Sequence, residues 1–254
     1  RFVNLIVALP PNAIAQLAER EDVISITRYS IPRRLDERQN QIVAGNISNG
    51  LPVQGDYLAY LASKGFTQAQ FTASNFVVNV SDSGIDNATT SPNHFALYTG
   101  GNRANASRVV YNRMIGTPSG PGSTLVGCDG HGTINSHIIA GFVPGGAPFN
   151  TFPHADASGF RHGLGVAPFV KVGSSVIFDN STNFFGDYTF PDFVELESRA
   201  YNDRARISSN SWGGNTNGEY NIDAQIYDYL TRDAQPANAS FPAAGNQELV
   251  TIFA

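Results

Sequence analysis

Short apolar runs alternate with segments of helical periodicity along most of this 254-residue chain. That alternation constrains the fold more than any other feature. NFVVNVSDSGID (75–86) reads as a buried strand ending in a polar turn, and SRVVYNRMIG (107–116) as a second strand. FVKVGSSVIF (169–178), ARISSNSW (205–212) and ASFPAAGN (239–246) read as three more. Between them, residues 131–142 predict a helix. Residues 191–202 predict another, with Phe193, Leu196 and Ala200 on one face, and residues 219–233 a third, with Ile222, Ile226, Tyr229 and Leu230 as its stripe. Strands alternating with helices imply βαβ units. The expected fold is therefore α/β, a three-layer sandwich with a mostly parallel central sheet covered on both faces.

Residues 1 to about 30 form a separate pattern. VNLIVALP reads as a strand, PNAIAQLAER as a helix opened by Pro11 and Asn12, and VISITRYS as an alternating strand. This is β-α-β, followed by a charged linker with Arg33, Arg34 and Asp36. The Arg33–Arg34 pair reads as part of a solvated linker, with a processing site as the alternative.

In parallel sheets, ligands bind beyond the carboxyl ends of the strands. Asp82, Asn210 and Ser211 fall at such ends, and Asn246 ends the last expected strand. His131, in GCDGHGT (127–133), stands at a helix amino end between Gly130 and Gly132. Bulk is missing on both sides, which lets the backbone approach a neighbour closely. A helix amino end also disfavours a positive charge, so the imidazole there suits a general base. Asp82 is a candidate carboxylate to orient it, and Asn246 a candidate amide donor to an oxyanion.

DSG at 82–84, GHGT at 130–133, NSWGG at 210–214 and AAGN at 243–246 occur in that order, with GVAP at 165–168 as a further match. Together they resemble the subtilisin-like serine peptidases, the subtilases, in which the triad runs Asp, His, Ser. The resemblance implies Asp82 as the orienting acid, His131 as general base and acid, and Asn246 as oxyanion donor. It implies that Ser211, Trp212 and Gly213 form an edge that pairs with the substrate backbone, although Trp212 also suits a core aromatic. It makes 1–35 a partial inhibitory-propeptide-like unit and linker, and 36–254 a truncated catalytic domain. The helix HGTINSHIIAG is one turn longer than the family's usual link.

The nucleophile is not legible. The family's serine lies in a Gly-Thr-Ser motif that starts a helix, and none follows Asn246. GSS at 173–175 sits inside a strand, and SGPGS at 119–123 in a loop; neither replaces it. The expectation is a secreted serine endopeptidase whose serine lies on a missing segment, so that this chain alone is inactive. The alternative is a non-catalytic pseudo-peptidase that binds extended peptides. Expected partners are polypeptide substrates and the chain's own propeptide as intramolecular inhibitor. No cofactor is required; structural calcium follows from the resemblance only. A metal site on His131 and His137 is disfavoured, because six helical residues turn about 600° and the rings diverge. The net charge of -5 gives no reason for a nucleic-acid or anionic-membrane partner. The longest early apolar run is too short to span a bilayer. One cysteine, Cys128, excludes an internal disulfide framework.

Overall fold

The computed structural model describes residues 5–28, 36–53, 55–118, 120, 124–127, 129–179 and 188–253. Backbone contacts divide the chain into Arg1–Arg34 and Leu35–Ala254. Among the described residues, no helix is long and apolar enough to cross a membrane.

The first unit holds one helix, α1 (Pro11–Ala18), with Pro at the start of its first turn, where a missing N–H costs nothing. Residues 5–10 and 23–28 form no strand, which corrects the β-α-β expectation. An alternating pattern makes a strand only where a partner accepts its backbone groups, and here the described backbone bonds are local turns such as Val23 N–H to Arg20 O at 3.2 Å. Arg33, Arg34, Cys128 and most of 119–123 lie outside the described residues.

The second unit is built on five parallel strands: β3 (Val77–Asp82), β4 (Val109–Met114), β5 (Lys171–Val176), β6 (Ala205–Asn210) and β7 (Val250–Phe253). A minor antiparallel hairpin, β1 (Ile47–Ser48) and β2 (Leu51–Pro52), precedes them. The sheet order is β4-β5-β3-β6-β7. Its registers align Asp82 with Val176, Ser81 with Asn210, and Asn210 with Phe253. The carboxyl edge therefore runs Met114, Val176, Asp82, Asn210, Phe253, with Asp82 in the centre.

Helices cover both faces, as the expected sandwich requires. Alternation along β3 shows how. Val78 and Val80 pack with Leu97, Val172 and Ala140, the last residue of helix α5 (His131–Ala140). Val77 packs the other way, with Ala205 and with Ala200 of helix α6 (Phe193–Asn202). Helix α7 (Ile222–Arg232) joins that second face, where Leu230 and Tyr227 meet Phe193 and Leu196. Three further helices escaped the sequence reading: α2 (Asp36–Val43), α3 (Tyr57–Ser63) and α4 (Gln68–Ser74). The buried Glu37 fixes α2 by accepting Tyr57 N–H at 2.8 Å and Arg161 N–H at 2.6 Å. The GSS serines Ser174 and Ser175 are fully buried in β5, which removes them as nucleophiles.

The α6 face carries a buried polar chain. Tyr111 Oη donates to Asn79 Oδ1 at 3.0 Å, Asn79 Nδ2 to Ser208 Oγ at 3.2 Å, and Ser208 Oγ to Glu197 Oε1 at 2.8 Å. Glu197 is fully buried and has no cationic partner among the described residues, so desolvation pushes its carboxyl from 4.5 up to about 7. The folded state thus holds a proton that the unfolded chain releases. This contribution is complete below pH 4.5 and is lost as pH rises through about 7. Glu197→Gln keeps the acceptor for Ser208 and removes the charge. It is expected to raise stability by about 3 kcal/mol at pH 8 and to leave it unchanged near pH 4.5. Denaturant unfolding at the two pH values checks this; an equal effect at both would refute it.

Candidate active site

Asp82 ends the central strand and is almost completely buried, with a side chain 2% exposed. His131 is the first residue of α5 and stands 55% exposed above it. His131 Nδ1 lies 2.8 Å from Asp82 Oδ1, and that oxygen also accepts Ser83 N–H at 2.7 Å. A carboxylate only accepts, so Nδ1 carries the proton and Nε2 of the neutral ring is bare. Among the described residues no side chain hydrogen-bonds Nε2.

The glycines beside His131 have separate jobs. Gly130 caps the helix with φ +81°, which side chains rarely adopt. Gly132 permits contact: a Cβ there would stand 2.5 Å from Gly84 O and 3.2 Å from Asp82 Cβ. The helix start is further pinned by His131 N–H to Asp129 Oδ1 at 3.0 Å and Gly132 N–H to Ser83 Oγ at 3.2 Å. These bonds satisfy N–H groups that a helix leaves orphaned. Gly132→Ala forces the helix away from the Asp82–Gly84 turn. It is expected to cost about 2 kcal/mol despite the better helix former, and to lengthen the Asp82–His131 bond. Thermal unfolding reads the first effect and the His131 imidazole shift the second.

The helix turns small residues, not the isoleucines, toward the sheet. Gly132, Ser136 and Ala140 are buried, whereas Ile134 and Ile138 are 61% and 58% exposed. Spacing of four puts the small residues on one stripe and lets α5 sit close to β3. The exposed isoleucines line a groove of about 500 Å³ with Val43, His137 and Val166.

Beyond β6, Ser211 to Gly214 continue along the carboxyl edge without regular structure. The backbone of Trp212 to Gly214 takes no hydrogen-bond partner among the described residues. The Trp212 ring instead turns into the core. It stacks on Phe193 at 5.5 Å, lies 5.3 Å from Phe253, and donates to Ser81 Oγ at 3.3 Å.

Asn246 is not brought to this edge. It is exposed and lies in the loop before β7, not at a strand's carboxyl end. Its neighbour Gln247 accepts Ala234 N–H at 2.8 Å, and Leu249 N–H reaches Thr231 O at 3.2 Å. Both tie the AAGN loop to the end of α7, on the amino side of the sheet. The oxyanion assignment of Asn246 is corrected on that ground, since a donor would have to come from the far end of β7.

Sequence reasoning passed over Ser83, Asp129 and Asn135, which contact the pair or its helix start. The spacing of Asn135, four residues after His131, was the available signal. His137 meets His94, Nε2 to Nδ1 at 3.0 Å, and not His131. Among the described residues no group of three or more His, Cys, Asp or Glu is placed to hold a metal ion.

An acid at the centre of the carboxyl edge, an imidazole bonded to it from a helix start, and an unpaired backbone segment beside them are the parts of a serine peptidase site. The subtilase family model matches residues 73–252, which is most of the chain, and the chain belongs to that family of serine peptidases. Comparison with curated protein sequences gave no match. Among solved structures, the chain is similar to the crystal structure of MycP1 with the N-terminal propeptide removed, at 17% identity and a TM-score of 0.34. That match covers 77% of this chain and 47% of MycP1, so the chain spans about half the length of the structure it matches.

Proposed function

We propose that the chain is the acid-and-base portion of a secreted serine endopeptidase, and that the nucleophilic serine is supplied by sequence outside these 254 residues. The observation that carries this reading is the 2.8 Å contact of His131 Nδ1 with the buried Asp82. In the complete enzyme, the serine Oγ adds to a peptide carbonyl carbon while His131 Nε2 takes its proton. His131 then gives that proton to the leaving amine nitrogen, and an acyl-enzyme remains. Water repeats the sequence, with His131 again as base, and releases the acid. Asp82 holds the tautomer that leaves Nε2 bare and stabilises the imidazolium. Ser211, Trp212 and Gly213 offer backbone groups to an extended substrate. The chemistry calls for no cofactor, and calcium would serve stability alone. Residues 1–35 act in this reading as part of an inhibitory propeptide.

The test uses the full-length gene product and the 254-residue chain side by side. The full-length protein is expected to cleave a peptide substrate and to lose activity with a sulfonyl fluoride; the chain alone is expected to do neither. Peptide binding without turnover by the full-length protein would replace this reading with the non-catalytic one.

A further inference from the structure

Residues four apart on a helix share a face, and α5 uses this to set a second side chain against Asp82. Asn135 Nδ2 lies 2.9 Å from Asp82 Oδ2 and 3.3 Å from His131 Nδ1. The chemistry of the partners fixes the amide's orientation. A carboxylate accepts only, so Asn135 must present its NH₂ to Oδ2. The two oxygens of Asp82 are thus divided. Oδ1 takes Ser83 N–H and His131 Nδ1–H, and among the described residues Oδ2 takes Asn135 alone. Asparagine is a poor choice in a helix interior, because its side chain competes for backbone groups. A local preference broken beside a reactive pair points to a role in that pair.

We propose that Asn135 is a positioning residue for the Asp82–His131 pair. By holding Oδ2 it fixes the plane of the carboxylate, whose terminal torsion is otherwise broad. Oδ1 then stays aimed at His131 Nδ1, and the neutral ring stays in the tautomer with Nε2 bare. Without Asn135 the carboxylate turns, and the ring reverts to the Nε2–H form that free imidazole prefers. That form cannot take a proton from a nucleophile. The inference rests on reading His131 as the general base.

The tautomer is measured in the full-length protein by ¹⁵N NMR at pH 8, with the His131 imidazole assigned by its loss in His131→Gln. The native protein is expected to show His131 mainly as Nδ1–H, and Asn135→Leu mainly as Nε2–H. Asn135→Ala, which improves helix propensity, is expected to shift the same way and covers the case in which the leucine variant does not fold. In the full-length protein either variant is expected to lower kcat by roughly 10–100-fold with KM unchanged. A folded variant with a lower melting temperature but an unchanged tautomer would make Asn135 merely structural and overturn the proposal. So would an unchanged kcat in an active enzyme. A native full-length protein without peptidase activity would sink the functional reading instead, and the tautomer would still decide for or against Asn135.

Discussion

In the full-length protein, Asp82→Asn is expected to lower kcat by about 10⁴-fold while leaving the protein folded and KM little changed. The replacement has the same shape but accepts on one side only, and it carries no charge. With its oxygen toward His131, its NH₂ faces Asn135, which must turn its own oxygen inward, and the negative charge that stabilises the imidazolium is gone. With its NH₂ toward His131, it demands a bare Nδ1 and puts the proton on Nε2, where the base must be free. Either state removes what the buried carboxylate supplies, which is acceptance on both sides at 2.8 and 2.9 Å. Steady-state kinetics checks it, with circular dichroism to show the fold is retained. A loss smaller than tenfold would mean that His131 is not the base.

The second large effect concerns stability. Arg108 enters β4 fully buried, and no carboxylate lies within ion-pair distance of it among the described residues. Its guanidinium gathers carbonyls: Val170 O at 2.9 Å from Nη1, and Ala96 O and Ala140 O, each 2.6 Å from Nη2. Ala140 ends α5, so one of the helix's orphaned carbonyls is satisfied by a cation, which its dipole also favours. Burial pushes the group's pKa down to about 9, and it stays charged at neutral pH. Arg108→Met fills similar space but strands two buried acceptors, Val170 O and Ala140 O, since Ala96 O keeps the Phe142 N–H at 2.9 Å. Each such group costs about 1–3 kcal/mol, partly offset because no charge is left to desolvate. The expected net loss is about 3 kcal/mol, read by denaturant unfolding. Arg108→Lys is expected to recover only part of it, since one ammonium cannot span three carbonyls in the geometry of a planar fork. A loss below about 1 kcal/mol for the methionine variant would show that these contacts do not hold α5.

Much of this was legible in the sequence because burial on two faces leaves strong marks. The runs around β3, β4 and β5 carry apolar, β-branched residues, and α6 shows its stripe, whereas β6 has only Ile207 among polar residues and α7 leaves Ile222 and Tyr229 of its expected stripe 65% and 46% exposed and buries Tyr227 instead. The error at AAGN had a readable warning. ASFPAAGN contains Pro242, which cannot donate to a ladder and argues against an interior strand. VTIF, four residues after Asn246, has the β-branched composition that a strand favours, and it forms β7. The early runs LIVALP and VISIT failed for the opposite reason. Their pattern is right, but a strand is a property of a pair, and no partner appears in the pattern. Helices α2 to α4 are short and held by particular polar contacts, such as Glu37 with Arg161 across 124 residues, which no local period reveals. At the site, Asp82 and His131 were visible as types at strand and helix ends. Asn135 was not, because its meaning depends on which way α5 faces, and the exposed Ile134 and Ile138 suggest the wrong face.

The place of β3 in the sheet has a dynamic consequence. It is bonded on both sides, by β5 and β6, and every one of its residues is buried. Its amides should therefore exchange with solvent deuterium only when the whole unit opens, whereas β7, bonded on one side among the described residues and exposed along most of its length, should exchange through local fraying. The acid of the site thus hangs from the strand expected to exchange most slowly. Fluctuations at the rim of the sheet would leave the direction of the carboxylate unchanged.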